Sequence, residues 1–177
     1  MTSTLTAPIP LRTSSPALDF EALYRAARDD VYAYVATLLR DRAAAEDVTA
    51  AAFERAYRKQ RTYKSARGSE RAWLFGIARN AALDELRRRK RAAALAADPA
   101  DLEAARPEDA AEAALRRAAV RVALAGLEGR DRELIALKFH AGLDNSEIAA
   151  VLGVSVSNAG TQLHRAMTKL REAVEHA

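Results

Sequence analysis

Between residues 61 and 91 the chain gathers ten cationic side chains, Arg61, Lys64, Arg67, Arg71, Arg79, Arg87, Arg88, Arg89, Lys90 and Arg91, against Glu70, Asp84 and Glu85, a net charge of +7. Tyr57, Tyr63, Trp73 and Phe75 lie in or beside the same segment. Cations neutralise phosphates and aromatic rings stack unpaired bases, so the combination suits a single strand of nucleic acid. Each part also has a plainer use. The RRRKR run serves equally well as the solvated end of a helix, where cations complement the backbone dipole. Trp73 sits at a spacing that favours a core position over a stacking platform, whereas Tyr63, in a loop, is the freer ring.

A different chemistry is available in NSEIAAVLGVSVSNAGTQLHRA, residues 145–166. Asp144 or Asn145 can cap a helix start, Glu147 can reach back toward the cap, and Ile148, Ala149, Val151 and Leu152 supply an apolar face. Gly153 ends that helix, because glycine enters the left-handed region without a Cβ penalty. Ser155 can cap a second helix whose apolar positions, Val156, Ala159, Leu163, Ala166, Leu170 and Val174, recur every three or four residues. Its other face holds Ser157, Asn158, Thr161, Gln162, His164, Arg165, Thr168 and Lys169. Two helices around a tight turn, the second polar and exposed, form the helix-turn-helix pattern that enters a DNA groove. A helical hairpin closing a bundle fits the same residues.

Covalent chemistry has little to work with. There is no cysteine, which removes disulfides and thiolate metal sites, and His140, His164 and His176 lack ligand spacing. No nucleophile loop or glycine-rich phosphate loop is present, so no catalytic residue, metal site or cofactor is expected. No apolar run is long enough to span a bilayer, and MTSTLTAPIPLRTSSPA lacks the basic start and apolar core of a secretory signal. The expected location is cytoplasmic.

The elements that must position these groups are helical. Phe20, Leu23, Tyr24, Ala27, Val31, Val35, Leu38 and Leu39 form one stripe; Asp41 can cap the next helix, where Val48, Ala52, Phe53, Ala56 and Tyr57 form another. After the polar loop RTYKSARGSE, a third helix is expected from about Arg71 to Arg91, with Trp73, Leu74, Ile77, Ala78, Ala81 and Leu86 among its apolar positions. Residues 92–112 reverse the charge: Asp98, Asp101, Glu103, Glu108, Asp109 and Glu112 stand against Arg106 alone, and Pro99 and Pro107 interrupt the stretch. The expectation is an all-α chain: a flexible arm (residues 1–18), a helical domain (19–92), a flexible acidic linker (93–112) and a helix-turn-helix domain (113–177).

Three stretches together carry a resemblance: DFEALYRAARDDVYAYVATLLRDRAAAEDV, AWLFGIARNAALDELRRRKR, and LEGRDRELIALKFHAGLDNSEIAAVLGVSVSNAGTQLHRAMTKLREA. In this order the chain resembles the sigma-70 family of bacterial RNA polymerase initiation factors, in its small extracytoplasmic-function group that keeps only domains two and four. The resemblance covers about Asp19 to Ala173 apart from the linker. It implies a subunit without catalytic activity that binds core RNA polymerase at the beta-prime clamp helices and the beta flap. Glu46, Asp47, Phe53 and Arg55 fall on the clamp-binding helix. Tyr63, Lys64, Arg67, Arg79, Asn80, Asp84, Arg87 and Arg88 would capture the unwound minus-ten strand, Asn80 matching the asparagine of the family's ARN motif. Ser155, Ser157, Asn158, Thr161, Gln162, His164, Arg165 and Lys169 would read the minus-thirty-five duplex. The resemblance also implies promoter DNA as ligand, an anti-sigma protein as partner, no membrane insertion, and a linker that runs through the polymerase interior imitating nucleic acid; composition alone fits a solubilising spacer equally.

Two departures stand out. The family's EDLVQETF is here EDVTAAAF, Glu46 to Phe53, with Ala50 and Ala51 replacing a glutamine and an acid. Weaker or differently distributed core binding is expected, because truncating a polar contact costs on the order of 1 kcal/mol. Where relatives read GTVKSRLHRA, this chain has SNAGTQLHRA, so a lysine and an arginine become Gly160 and Gln162. A helix with fewer phosphate contacts reads bases more than it grips the backbone, and its DNA binding should depend little on salt. Two rival readings remain: an autonomous helix-turn-helix regulator, which leaves the WLFGIARN segment unexplained, and a degenerate paralogue that binds an anti-sigma protein without initiating.

Overall fold

The computed structural model describes residues 18–95 and 111–175 as helices and turns, with no strand among the described residues. The expected N-terminal arm (apart from Leu18) and residues 96–110 of the expected linker lie outside the described residues, while 93–95 and 111–112 belong to helices. Helix α1 (Phe20–Leu39) starts where the Asp19 carboxylate accepts the Ala22 N–H at 3.0 Å. It stops at Arg40, left-handed at φ 55°, whose N–H bonds to the Ala36 carbonyl at 2.9 Å. Asp41 then caps α2 (Arg42–Lys59) through the Ala44 N–H at 3.0 Å, so only two residues join the helices. Two short 3-10 turns, Gln60–Thr62 and Ser65–Arg67, lead into α3 (Glu70–Leu95). Ser69 Oγ accepts the Ala72 N–H at 3.1 Å, and α3 runs longer at both ends than its apolar pattern suggests.

Alanine sets how closely these three helices approach. Ala27, Ala45, Ala52, Ala56, Ala78 and Ala82 are wholly buried, leaving room for Val31, Val35, Leu39, Leu74 and Phe75 to interlock. Each large side chain buried this way contributes about 1.5–3 kcal/mol. The sequence stripes err at their edges. Tyr24 and Tyr57 are 39% and 58% exposed and pack edge-on against Phe53 and Phe20, with ring centroids at 4.9 and 5.3 Å. Phe75, grouped above with rings able to stack a base, is entirely buried against Tyr34 at 5.4 Å and cannot do so.

The C-terminal group comprises α4 (Ala111–Gly126), α5 (Gly129–Phe139), α6 (Asn145–Leu152) and α7 (Val156–Glu175). Arg132 ties the end of α4 to α5, donating to the carbonyls of Leu124, Ala125 and Leu127 at 3.0, 3.3 and 2.5 Å. Asp144 and Glu147 form a reciprocal capping box at the start of α6, at 2.8 and 3.0 Å. Gly153 follows at φ 68°, and Ser155 Oγ accepts the Asn158 N–H at 3.2 Å to begin α7. Ala159, Leu163 and Ala166 are buried, but Val156 is 53% exposed, because it precedes the turn that Ala159 seats.

The two groups are not independent bodies. Helix α5 packs on α1 and α6 packs on α3, so one hydrophobic cluster runs from Leu23 to Ala166. No periodicity in the sequence announces that contact.

Candidate nucleic-acid interface

The first candidate surface is the loop after α2 together with the outer face of α3. Tyr63 stands between the two 3-10 turns, its ring 5.7 Å from Trp73 and its hydroxyl donating to the Gly68 carbonyl at 3.1 Å. Burial and Glu70 raise its phenol pKa, so it remains a neutral donor. Lys64 and Arg67 are exposed in the same loop, and Asn80, Asp84, Arg87 and Arg88 are exposed along α3. Lys90 and Arg91 line a shallow open groove with Arg87 and Ala94. Among the described residues Lys64, Arg67, Lys90 and Arg91 make no ion pair, which leaves their charge available to phosphate.

Other cations of this segment are already engaged. Arg88 and Arg89 hold Glu85 at 2.8 Å and lower its pKa from 4.5 to about 2. Arg89 also reaches Asp41, the cap of α2, at 2.8 Å, so this part of the basic run is structural. Asp84 accepts from Arg87 at 3.2 Å and from Arg55 at 3.5 Å, joining a residue expected on the clamp-binding helix to one expected on the strand-capturing face. On α2, Glu46 pairs with Arg42 at 3.2 Å, Asp47 is exposed, and Phe53 is 6% exposed within the aromatic cluster. Phe53 can therefore support a docking face but offers little of its own ring to a partner.

Arg79 departs from the expectation most. Its side chain is 19% exposed, and its Nε donates to Glu133 of α5 at 2.6 Å. Glu133, 7% exposed, also takes Arg130 at 3.2 Å and faces the Tyr34 hydroxyl at 3.5 Å. Burial first, and then the Glu133 carboxylate, push the Tyr34 pKa well above its ordinary value, so the phenol stays protonated. No local pattern could disclose Tyr34 or Glu133, because their contact spans 99 residues.

The second surface is the outward side of α7. Ser155, Ser157, Asn158, Thr161, His164, Arg165 and Lys169 are exposed, arranged beyond the turn at Gly153 as a groove-reading helix requires. Lys169 is held by Asp131 at 2.5 Å, and the Thr161 hydroxyl donates back to the Ser157 carbonyl at 3.0 Å. Gln162 is half-buried: its carbonyl takes Arg130 Nε at 3.2 Å while its amide donates to Asn158 at 2.7 Å. A guanidinium from α5 thus stands beside Gln162 on this face. The sequence reading missed Arg130, since it lies 32 residues before Gln162 and outside the helix-turn-helix.

An all-α chain with an exposed cationic loop and helix and a helix-turn-helix has the features of a nucleic-acid-binding protein. Sigma-70 region 2 matches residues 23–92 and Sigma-70 region 4 matches residues 117–170. The chain is 32% identical over 165 residues to the ECF RNA polymerase sigma factor SigL of Mycobacterium tuberculosis (strain ATCC 25618 / H37Rv), covering 90% of this chain and 93% of that protein. It is 29% identical over 163 residues to SigK of Mycobacterium bovis (strain BCG / Pasteur 1173P2), covering 88% and 86%. Among solved structures it is similar to the sigma factor RpoE in complex with the anti-sigma factor NepR from Bartonella quintana, with a TM-score of 0.78, 25% identity, and 89% and 97% coverage. It is also similar to CnrH in complex with the cytosolic domain of CnrY, with a TM-score of 0.64, 26% identity, and 89% and 88% coverage. The chain belongs to the sigma-70 family, in its ECF group of RNA polymerase sigma factors. Among the described residues no helix is long and apolar enough to cross a membrane.

Proposed function

We propose that this chain is a promoter-specificity subunit: it binds core RNA polymerase, recognises two promoter elements and assists melting, with no catalysis of its own. The observation that carries this reading is the presence of regions 2 and 4, in family order, on one chain. Helix α7 has the polar outward face and Gly153 turn that duplex reading needs. The loop around Tyr63 and the free cations of α3 suit an unpaired strand. Glu46, Asp47, Phe53 and Arg55 on α2, with the neighbouring Phe20 and Tyr57, are assigned to core polymerase. The proposed division places the strand-capturing unit at residues 19–92 and the duplex-reading unit at 113–177.

Control by an anti-sigma protein is part of the proposal. It is supported by one similar protein, RpoE, solved with the anti-sigma factor NepR, and by Val122 and Phe139, which leave 66% and 62% of their surface exposed on α4 and α5. The proposed location is cytoplasmic, with the chain on the nucleoid when polymerase holds it.

The test mixes the purified chain with bacterial core polymerase and selects transcribed promoters from a random DNA library. Transcripts that require both proteins and share two spaced motifs are expected. Core binding without transcripts would favour a degenerate paralogue, and DNA selection by the chain alone would favour an autonomous regulator.

A further inference from the structure

The outward groups of α7 are wired to a charge on another helix. Arg130 of α5 donates from Nε to the Gln162 side-chain carbonyl at 3.2 Å, and from Nη1 to the buried Glu133 carboxylate at 3.2 Å. Gln162 in turn donates from its amide nitrogen to Asn158 Oδ1 at 2.7 Å, one helical turn back. All four residues lie on α5 and α7, so the chain of bonds belongs wholly to the helix-turn-helix group.

Chemistry fixes the direction of this chain. A guanidinium carries five N–H donors and no acceptor, and it stays protonated in proteins. The Gln162 atom facing it must therefore be the oxygen, which turns the Gln162 NH2 toward Asn158. Asn158 must then offer its oxygen to Gln162. Its own NH2 is left on the exposed face of α7. An asparagine free to rotate reads adenine, with its oxygen on N6 and its nitrogen on N7. Asn158 has committed the oxygen of that pair. A donor alone matches guanine, whose major-groove edge shows two acceptors, N7 and O6, and it is mismatched to the amino edge of cytosine.

We propose that Arg130 is a positioning residue for sequence reading: it orients Gln162 and Asn158 so that α7 presents a donor-only group, and the base that Asn158 meets is guanine. This rests on the proposed role of α7 in reading duplex promoter DNA. The preference of the helix is thereby set in part by a side chain of α5 that need not touch a base.

The test uses the full chain with core polymerase and DNA selected from a random library. Asn158→Ala identifies the position, since preference should vanish there and persist elsewhere. Wild type should favour guanine over adenine at that position by about five-fold or more. Arg130→Ala frees both amides to rotate, and the guanine-to-adenine ratio should fall several-fold there while other positions keep theirs. Gln162→Glu reverses the polarity. Its carboxylate still accepts from Arg130 but cannot donate to Asn158, whose NH2 turns inward and whose oxygen turns outward. Preference at that one position should move from guanine to cytosine, an exchange that a merely structural contact would not produce. In the full-length free chain, the side-chain amide resonances of Gln162 and Asn158 should both shift in Arg130→Ala. Thermal melts confirm that each variant is folded. Adenine preferred by wild type, guanine retained in folded Gln162→Glu, or a uniform loss across all four bases in Arg130→Ala would overturn the relay, and so would unmoved amide resonances. Selection by the chain without polymerase would read the same position and count against the proposed function alone. No DNA selected with or without polymerase would overturn both.

Discussion

Gly160 of α7 faces Asn145 of α6 across the turn of the helix-turn-helix, and a Cβ built on Gly160 would lie 3.5 Å from Asn145 Nδ2. That is ordinary van der Waals contact, so packing within the chain does not demand glycine here. Gly160→Ala should stabilise the protein by about 1 kcal/mol, raising Tm by roughly 2–4 °C in a calorimetric melt. If the glycine serves close approach to DNA, promoter affinity of the polymerase complex should fall as stability rises. Unchanged promoter affinity would assign Gly160 no role in approach.

Thr49 of α2 is 8% exposed, and its hydroxyl oxygen is buried without a hydrogen-bond partner among the described residues. A buried hydroxyl that has lost water and gained nothing costs about 1–3 kcal/mol. Thr49→Val keeps the branched shape and removes the oxygen. An increase of about 1 kcal/mol in unfolding free energy is expected from urea titration, whereas a loss would show that the hydroxyl finds a partner.

His140 is held below its ordinary pKa of 6.5, first by burial against Thr37 and α1, with Asp30 acting in the opposite direction. Arg71 is the other charged group on it, donating to its backbone carbonyl. For a base whose folded pKa is depressed, stability is complete above the unfolded pKa. It is lost as pH falls from 6.5 toward the lower folded value, because the unfolded or open chain takes up the proton first. Acidification from about pH 7 to about pH 5.5 should therefore weaken the packing of α5 on α1. Nuclear magnetic resonance of the imidazole should give a midpoint below 6.5, and His140→Gln should flatten this part of the stability profile.

Arg130 lies 3.2 Å from Gln162 and comes from a different helix. If it supplies the phosphate contact that Gln162 cannot, Arg130→Ala should reduce the salt slope of promoter binding by the polymerase complex by about one unit. It should weaken binding similarly across promoter variants, because a phosphate contact carries no sequence information. A change in sequence preference at constant slope would instead make Arg130 a support for Gln162 and Asn158.

Ala50 is exposed on α2, three residues before Phe53. Ala50→Gln restores a polar group on the face assigned to core polymerase, and several-fold tighter core binding is expected in a titration, about 1 kcal/mol. Equal or weaker binding would show that this chain distributes its contacts differently.

The local grammar of the helices was readable in the sequence because its causes are local. Asp19, Asp41 and Asp144 cap helices, Ser155 opens α7, and Gly153 takes the left-handed turn, all through contacts within four residues. Stripe positions were right where a neighbouring helix covers them and wrong where that cover stops short, as at Tyr24, Tyr57 and Val156. Tyr34, Glu133 and Arg130 were not readable at all. Their surroundings are made by α1, α3, α5 and α7 together, and the packing of α5 on α1 leaves no period in the sequence. Arg79 illustrates the same limit, since its charge was visible and its partner was not.

The short link between α1 and α2 has a mechanical consequence. Arg40 and Asp41 are the only residues between the two helices, one in a left-handed conformation and the other bound to the start of α2. Such a joint has little slack to absorb a tilt of either helix. A displacement of α2 therefore passes to α1, whose Tyr34 and Thr37 meet Glu133 and His140 on the side where α5 packs. The hairpin is in effect a stiff lever whose far arm reaches Glu133 through Tyr34.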